Sequence, residues 1–146
     1  MRTEQTENLL NAIYKNVRMG SYAIDCIIEE IEDKELEKLI RRQNKKYLSL
    51  TNDCTELSRI YHIELKDISM MLKASSFTSI KMKTMTNNKV NHLSEMLIQG
   101  TTMGITNVLK EIGNNQDAEE KVKRLASDLQ RAEEEFVDSL KTFLTK

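Results

Sequence analysis

Apolar and small residues return at steps of three and four through most of the chain, the spacing that lines one face of a helix. Between Thr3 and Ile31 the seam is Leu9, Ile13, Val17, Gly20, Ile24, Ile27 and Ile31, and Leu10 and Ile28 widen it into the stripe a bundle helix needs. Asp33 then stands as an N-cap, and Glu35 and Glu37 put negative charge in the first turn of a second helix. Its seam is Leu36, Ile40, Gln43, Tyr47, Leu50, Cys54, Leu57 and Tyr61, with Gln43 as the one polar interloper. Only a few residues connect these two helices, which predicts an antiparallel pair.

From His62 to Asn88 the periodicity weakens. Ile63 and Leu65 suit extended chain, and Asp67 or Ser69 suits the cap of a short helix carrying Met70, Ala74, Phe77 and Ile80. Half-helical, such a segment covers about 50 Å, at ~1.5 Å per helical and ~3.3 Å per extended residue. That length returns the chain to the end where the second helix began. The third long helix, Val90 to Ile112, repeats at Leu93, Leu97, Gly100, Gly104, Val108 and Ile112. Glycine costs a helix interior about 1 kcal/mol relative to alanine. Gly20, Gly100 and Gly104, all on seams, therefore predict close helix packing. Gly113 is expected as the left-handed residue that closes this helix. Asp117 with Glu120 resembles a capping box, and the last stripe is Val122, Leu125, Leu129, Ala132, Phe136, Leu140 and Phe143. The expected fold is all-α: one domain, residues 1–146, forming an up-down-down-up four-helix bundle with a long, partly helical crossover.

An internal echo supports the pairing of hairpins. Met19-Gly20 and Met103-Gly104 are each followed by an aspartate, Asp33 and Asp117, at the same distance from the methionine. The two hairpins then relate by a pseudo-two-fold axis, with Gly20 and Gly104 near a helix crossing.

Composition adds little that conflicts. At 146 residues the chain suits one domain, and with no proline and four glycines almost nothing interrupts the helices. A net charge of -1 argues against a bulk preference for nucleic acid or anionic membrane. No apolar run approaches the roughly 20 residues of a membrane helix, and MRTEQTEN lacks the apolar core of a signal peptide, so a cytoplasmic location is expected. Cys26 and Cys54 fall on the antiparallel pair with an offset of about 13 residues, some 20 Å. A disulfide spans about 7 Å between Cα atoms, so buried reduced thiols are expected.

The phrases LLNAIYKNVRMG, SEMLIQGTTMG and SLKTFL resemble a bacterial branch of the ferritin-like superfamily that lacks the di-iron ligand motifs. The resemblance implies paired helical hairpins joined by a long crossover. Metal-active members of that superfamily need a Glu from each of two helices and a Glu-x-x-His from each of the others, because two metal ions require converging carboxylates and imidazoles. This chain has no Glu-x-x-His: the second helix carries Gln43-Asn44-Lys45-Lys46 and the last carries Glu133-Glu134-Glu135-Phe136. No metal ligands, cofactor or catalytic residues are expected.

Gln43, Gln99 and Glu133 remain as a candidate core polar cluster. Gln43 is expected to fix register by hydrogen bonding to Gln99, Glu133 or a tyrosine hydroxyl. A buried Glu133 must find a donor or stay protonated. His92 and Glu95, three apart, lack the partners of a metal site, and His62 suits the dipole at its helix end. Arg41, Arg42, Lys45 and Lys46 form a basic cluster at the spacing of a solvated helix face, which makes nucleic acid an unfavoured partner. Met70, Met71 and Phe77 are expected to pack onto the bundle, and their density makes the crossover a candidate subunit interface. The leading expectation is a non-catalytic homodimer with a structural or protein-interaction role, loosely similar to spore-coat bundles. The alternative is a metal-binding or oxidation-protective bundle with an unconventional site.

Overall fold

The structure, a computed structural model, describes residues 3–146. Five helices account for most of them: α1 (Glu4–Ile27), α2 (Lys34–Tyr61), α3 (Met70–Thr86), α4 (Val90–Asn114) and α5 (Glu120–Lys141). No strand occurs among the described residues. The third and fourth long helices expected from the sequence are α4 and α5, and the crossover contains α3.

Several helix ends are written locally. The Thr3 hydroxyl accepts from the Thr6 amide, the Asp33 carboxylate accepts from Leu36 N at 2.9 Å, and the Ser69 hydroxyl accepts from Leu72 N at 3.1 Å. Each satisfies a first-turn N–H that has no partner inside its helix. His62 closes α2 in the left-handed region, φ 55° and ψ 47°, while Ile63 N donates to Ser58 O at 2.8 Å. This is the reversed-turn closure that glycine usually supplies.

Other ends differ from the sequence expectation. The first helix stops at Ile27 and passes through a 3-10 turn, Ile28–Glu30, instead of reaching Ile31. Glu29, Glu30, Glu32 and Asp33 crowd this end with negative charge, which opposes the helix dipole. Gly113 is not a left-handed cap, since α4 continues to Asn114. The buried Asn115 amide instead donates to Glu111 O at 2.8 Å, covering a terminal carbonyl without glycine. Asp117 caps nothing: α5 begins after Glu119 without a side-chain cap. α1 supplies the missing partners, as Gln5 Oε1 accepts from Asp117 N and Thr6 Oγ1 accepts from Glu119 N.

α1 packs against α2, α3, α4 and α5, and α5 also packs against α2 and α4. Leu9, Leu10, Ile13, Val17, Leu36, Ile40, Val122, Leu129 and Leu140 are wholly inaccessible. Each such side chain contributes about 1.5–3 kcal/mol from burial.

The crossover departs most from expectation. Met70 and Met71 are 79% and 83% exposed and Phe77 is 47% exposed, so they do not pack onto the bundle. α3 turns a mostly polar side inward: Tyr22 Oη donates to Lys73 O at 3.0 Å, Lys81 Nζ meets Glu30 Oε1 at 3.1 Å, and Thr84 is buried. Those anchors orient the helix, and the methionines are left facing water.

Candidate functional site

A polar layer crosses the bundle interior. α2 contributes Gln43 and Tyr47, one turn apart on its seam, and α5 contributes Glu133; all three are only 2% exposed. Tyr47 Oη donates to Glu133 Oε2 at 2.8 Å. α1 adds Asn16, whose Nδ2 donates to Gly104 O on α4 at 3.0 Å. Ser21 Oγ donates to Asn44 Oδ1 at 2.8 Å.

Two glycines make room for these groups. A Cβ on Gly20 would lie 2.6 Å from Cζ and 2.7 Å from Cε2 of Tyr47. A Cβ on Gly104 would lie 3.1 Å from both Asn16 Nδ2 and Glu133 Oε2. Gly20 thus admits the phenol ring, and Gly104 admits the carboxyl group and opens its own carbonyl to Asn16. The Met-Gly echo has a physical basis here, because both glycines border the same buried acid–phenol pair.

Burial pushes the Glu133 carboxyl up to about 7, against the opposing pull of the Tyr47 hydroxyl and the Asn16 amide. Tyr47 is driven well above the ordinary phenol range by burial first and by the Glu133 charge second. The pair therefore holds a proton inside the bundle. Glu133 Oε1 and Gln43 Nε2 have no protein partner.

The other expected members lie elsewhere. Gln99 is exposed and its Nε2 reaches Glu95 Oε1 at 3.5 Å, so it does not join Gln43 and Glu133. Gly100 faces open space, where a Cβ would meet nothing within 4 Å, and packs against no helix. Its seam position belongs to a stretch of α4 whose buried residue is the next one, Thr101. Asn16 lies between Ile13 and Val17 at the border of the α1 stripe, where helical spacing alone does not single it out. Tyr47, expected on the α2 seam, supplies a hydroxyl that binds Glu133.

The donor set does not fit a di-metal centre. The layer offers one carboxylate, amides and a phenol, and the described residues contain no group of three His, Cys, Asp or Glu side chains able to hold a metal ion. His92 and Glu95 do not change this, since Glu95 is turned to solvent. Cys26 and Cys54 are separate buried thiols, and burial pushes Cys54 up to about 12, which makes it a poor thiolate.

On α2, Arg41, Arg42, Lys45 and Lys46 are exposed. Arg41 pairs with Glu37 at 3.0 Å and Lys46 with Glu135 at 3.6 Å, so acidic neighbours already engage half of that cluster. No helix among the described residues is long and apolar enough to cross a membrane. Comparison of the chain with protein-family models, with curated protein sequences and with solved structures finds no match.

Proposed function

We propose that this chain is a non-catalytic ferritin-like bundle, cytoplasmic and homodimeric, that serves as a structural or protein-interaction module. The observation that carries this reading is the polar layer itself. At the level where metal-active bundles gather carboxylates and imidazoles, this interior has a single acid, held by a phenol and walled by glycines. A lone buried carboxyl offers neither the charge nor the ligand number a pair of metal ions requires.

The up-down-down-up arrangement is supported by contacts along the helices. Gln5 meets Asp117 and Asn16 meets Gly104, so α1 and α4 run in opposite senses. Tyr22 meets Lys73 and Glu30 meets Lys81, so α3 follows α1 back toward the start of α2. A role among coat or assembly proteins of the spore type is one concrete form of the proposal.

Elemental analysis of protein purified without chelator tests it. The expected outcome is no stoichiometric metal. Iron, manganese or zinc at one or more equivalents would overturn the reading in favour of an unconventional site at Gln43 and Glu133.

A further inference from the structure

α1 carries a row of residues four apart, Arg18, Tyr22, Cys26 and Glu30, which follow one ridge of the helix. The crossover runs along that row. Arg18 donates to both carboxylate oxygens of Asp67, at 3.2 and 3.1 Å. Tyr22 Oη donates to Lys73 O at 3.0 Å, and Lys81 Nζ meets Glu30 Oε1 at 3.1 Å. Cys26, buried, lies between these last two anchors. Burial pushes its thiol up, and the Tyr22 hydroxyl and the Lys81 ammonium pull the other way, which puts both groups beside the sulfur.

The crossover is not held equally along its length. Ahead of α3 it is fixed from inside: Ile63 and Ile68 are buried, and Asn11 Oδ1 accepts from Lys66 N at 2.8 Å. Beyond α3 the buried Leu93 seats α4. Between those two points Thr84 is the one buried residue of α3, and only Lys73, Ser76, Ile80 and Lys81 are half-covered. Ile80 is therefore the sole aliphatic side chain that α3 lays on the bundle, too little apolar burial to fix a helix of this length.

Charge supplies what burial does not. From residue 68 to residue 94 the chain has four lysines and no acid, and from Asp25 to Asp33 it has five acids and no base. A basic helix thus rests against the acidic end of another. In the Lys81–Glu30 pair the side chains are 29% and 36% exposed, so water and salt reach the contact and weaken it.

We propose that α3 is a strap latched by charge, which swings off α1 and uncovers Tyr22 and Cys26 while α1, α2, α4 and α5 stay packed. Its hinges are Ser69 at one end and residues 87–89 at the other. Ser69, Asn87 and Lys89 are extended, so rotation there breaks no helix. Rising ionic strength releases the latch. The strap belongs to the single chain and does not depend on the role proposed above.

Pulsed labelling of the full chain with N-ethylmaleimide, read at each cysteine by peptide mass spectrometry, tests this. Cys54 is wholly inaccessible inside the bundle and reports opening of the core. Cys26 is expected to label at least about tenfold faster than Cys54, because local opening is more frequent than global unfolding. From about 0.01 to 1 M NaCl the screening length falls from ~30 to ~3 Å, and the Cys26 rate should rise about threefold while the Cys54 rate does not. Glu30→Gln should raise the Cys26 rate at low salt and flatten its response to salt. Hydrogen exchange of the α3 amides should follow the same salt curve, with those of α1 and α5 unmoved. Equal labelling of the two thiols would overturn the strap, since α1 would then be uncovered only by global unfolding. Fast labelling of Cys26 that ignores both salt and Glu30→Gln would overturn the charge latch. Salt-driven labelling of Cys26 with unmoved α3 amides would overturn α3 as the part that moves.

Discussion

Two regions invert the usual rule of apolar inside and polar outside. The layer between α1, α2, α4 and α5 buries an acid, a phenol and an amide, whereas the outer side of α3 leaves methionines in water. The difference lies in what surrounds each. The buried acid is held by a hydrogen bond from Tyr47 and by two glycines shaped around the pair. Among the described residues nothing covers the methionines. A polar group that its own fold accommodates so closely works inside the molecule; an apolar face that the fold leaves open points to an encounter outside it.

The largest effect should come from removing the charge that the interior resists. Glu133 has a folded value of about 7, above its ordinary 4.5. The native state therefore binds more protons than the unfolded chain between those values, and stability falls as pH rises through that window. The loss is on the order of 3 kcal/mol, complete just above pH 7. Asp67 and Glu37 are held below the ordinary range, chiefly by hydrogen bonds from Arg18 and Arg41, so they act below this window and with the opposite sign. Urea unfolding of wild type and Glu133→Gln at pH 5 and pH 8 isolates the effect. The difference between the two proteins should change by about that amount, and a constant difference would mean that the acid is not desolvated.

Gly20→Ala should follow, at about 2 kcal/mol. Its Cβ would lie 2.6 Å from a buried ring that cannot swing away, a clash that outweighs the alanine gain in helix propensity. The Tyr47→Phe background should not relieve it, because the contact is with ring carbons. A Gly20→Ala protein as stable as wild type would show the wall of the site to be soft.

A smaller effect should separate the two regions in time. Ser69→Ala removes the cap on Leu72 N and costs α3 about 1 kcal/mol. Since α3 rests on α1 with few buried side chains, the loss should appear as local opening. Amides of α3 should exchange about fivefold faster while those of α1 and α5 hold their rates. Equal acceleration throughout would mean that α3 unfolds with the bundle, not before it.

The long helices were legible because their stripes are broad and local chemistry marks several starts, as Asp33 and Ser69 do. Where an end is fixed from a distance, the sequence misled: Gln5 and Thr6 on α1 cap α5, and no pattern near Asp117 announces them. Gln43 and Glu133 were visible as polar residues on or beside seams. Gln99 was misplaced because a periodic stripe does not say how far its edge is buried. The direction of α3 was hidden for a related reason, since a helix whose apolar and polar residues are mixed around its axis carries no sign of which side is anchored by Tyr22, Glu30 and Thr84.

The mildest test compares two glycines one turn apart on α4. Gly104 and Gly100 look equivalent on the helix seam, yet one borders the Glu133 carboxyl and the other faces open space. Gly100→Ala adds a methyl group that meets nothing within 4 Å, in a helix interior where alanine is favoured, so it should stabilise the protein by up to about 1 kcal/mol. Gly104→Ala gains the same propensity but brings its Cβ to 3.1 Å from Asn16 and Glu133, and should be destabilising or neutral. Thermal melts of both variants decide the matter. If the two substitutions raised the midpoint equally, the interior would have slack at its centre, and the contrast between an over-determined core and an open outer helix would fail at its first term.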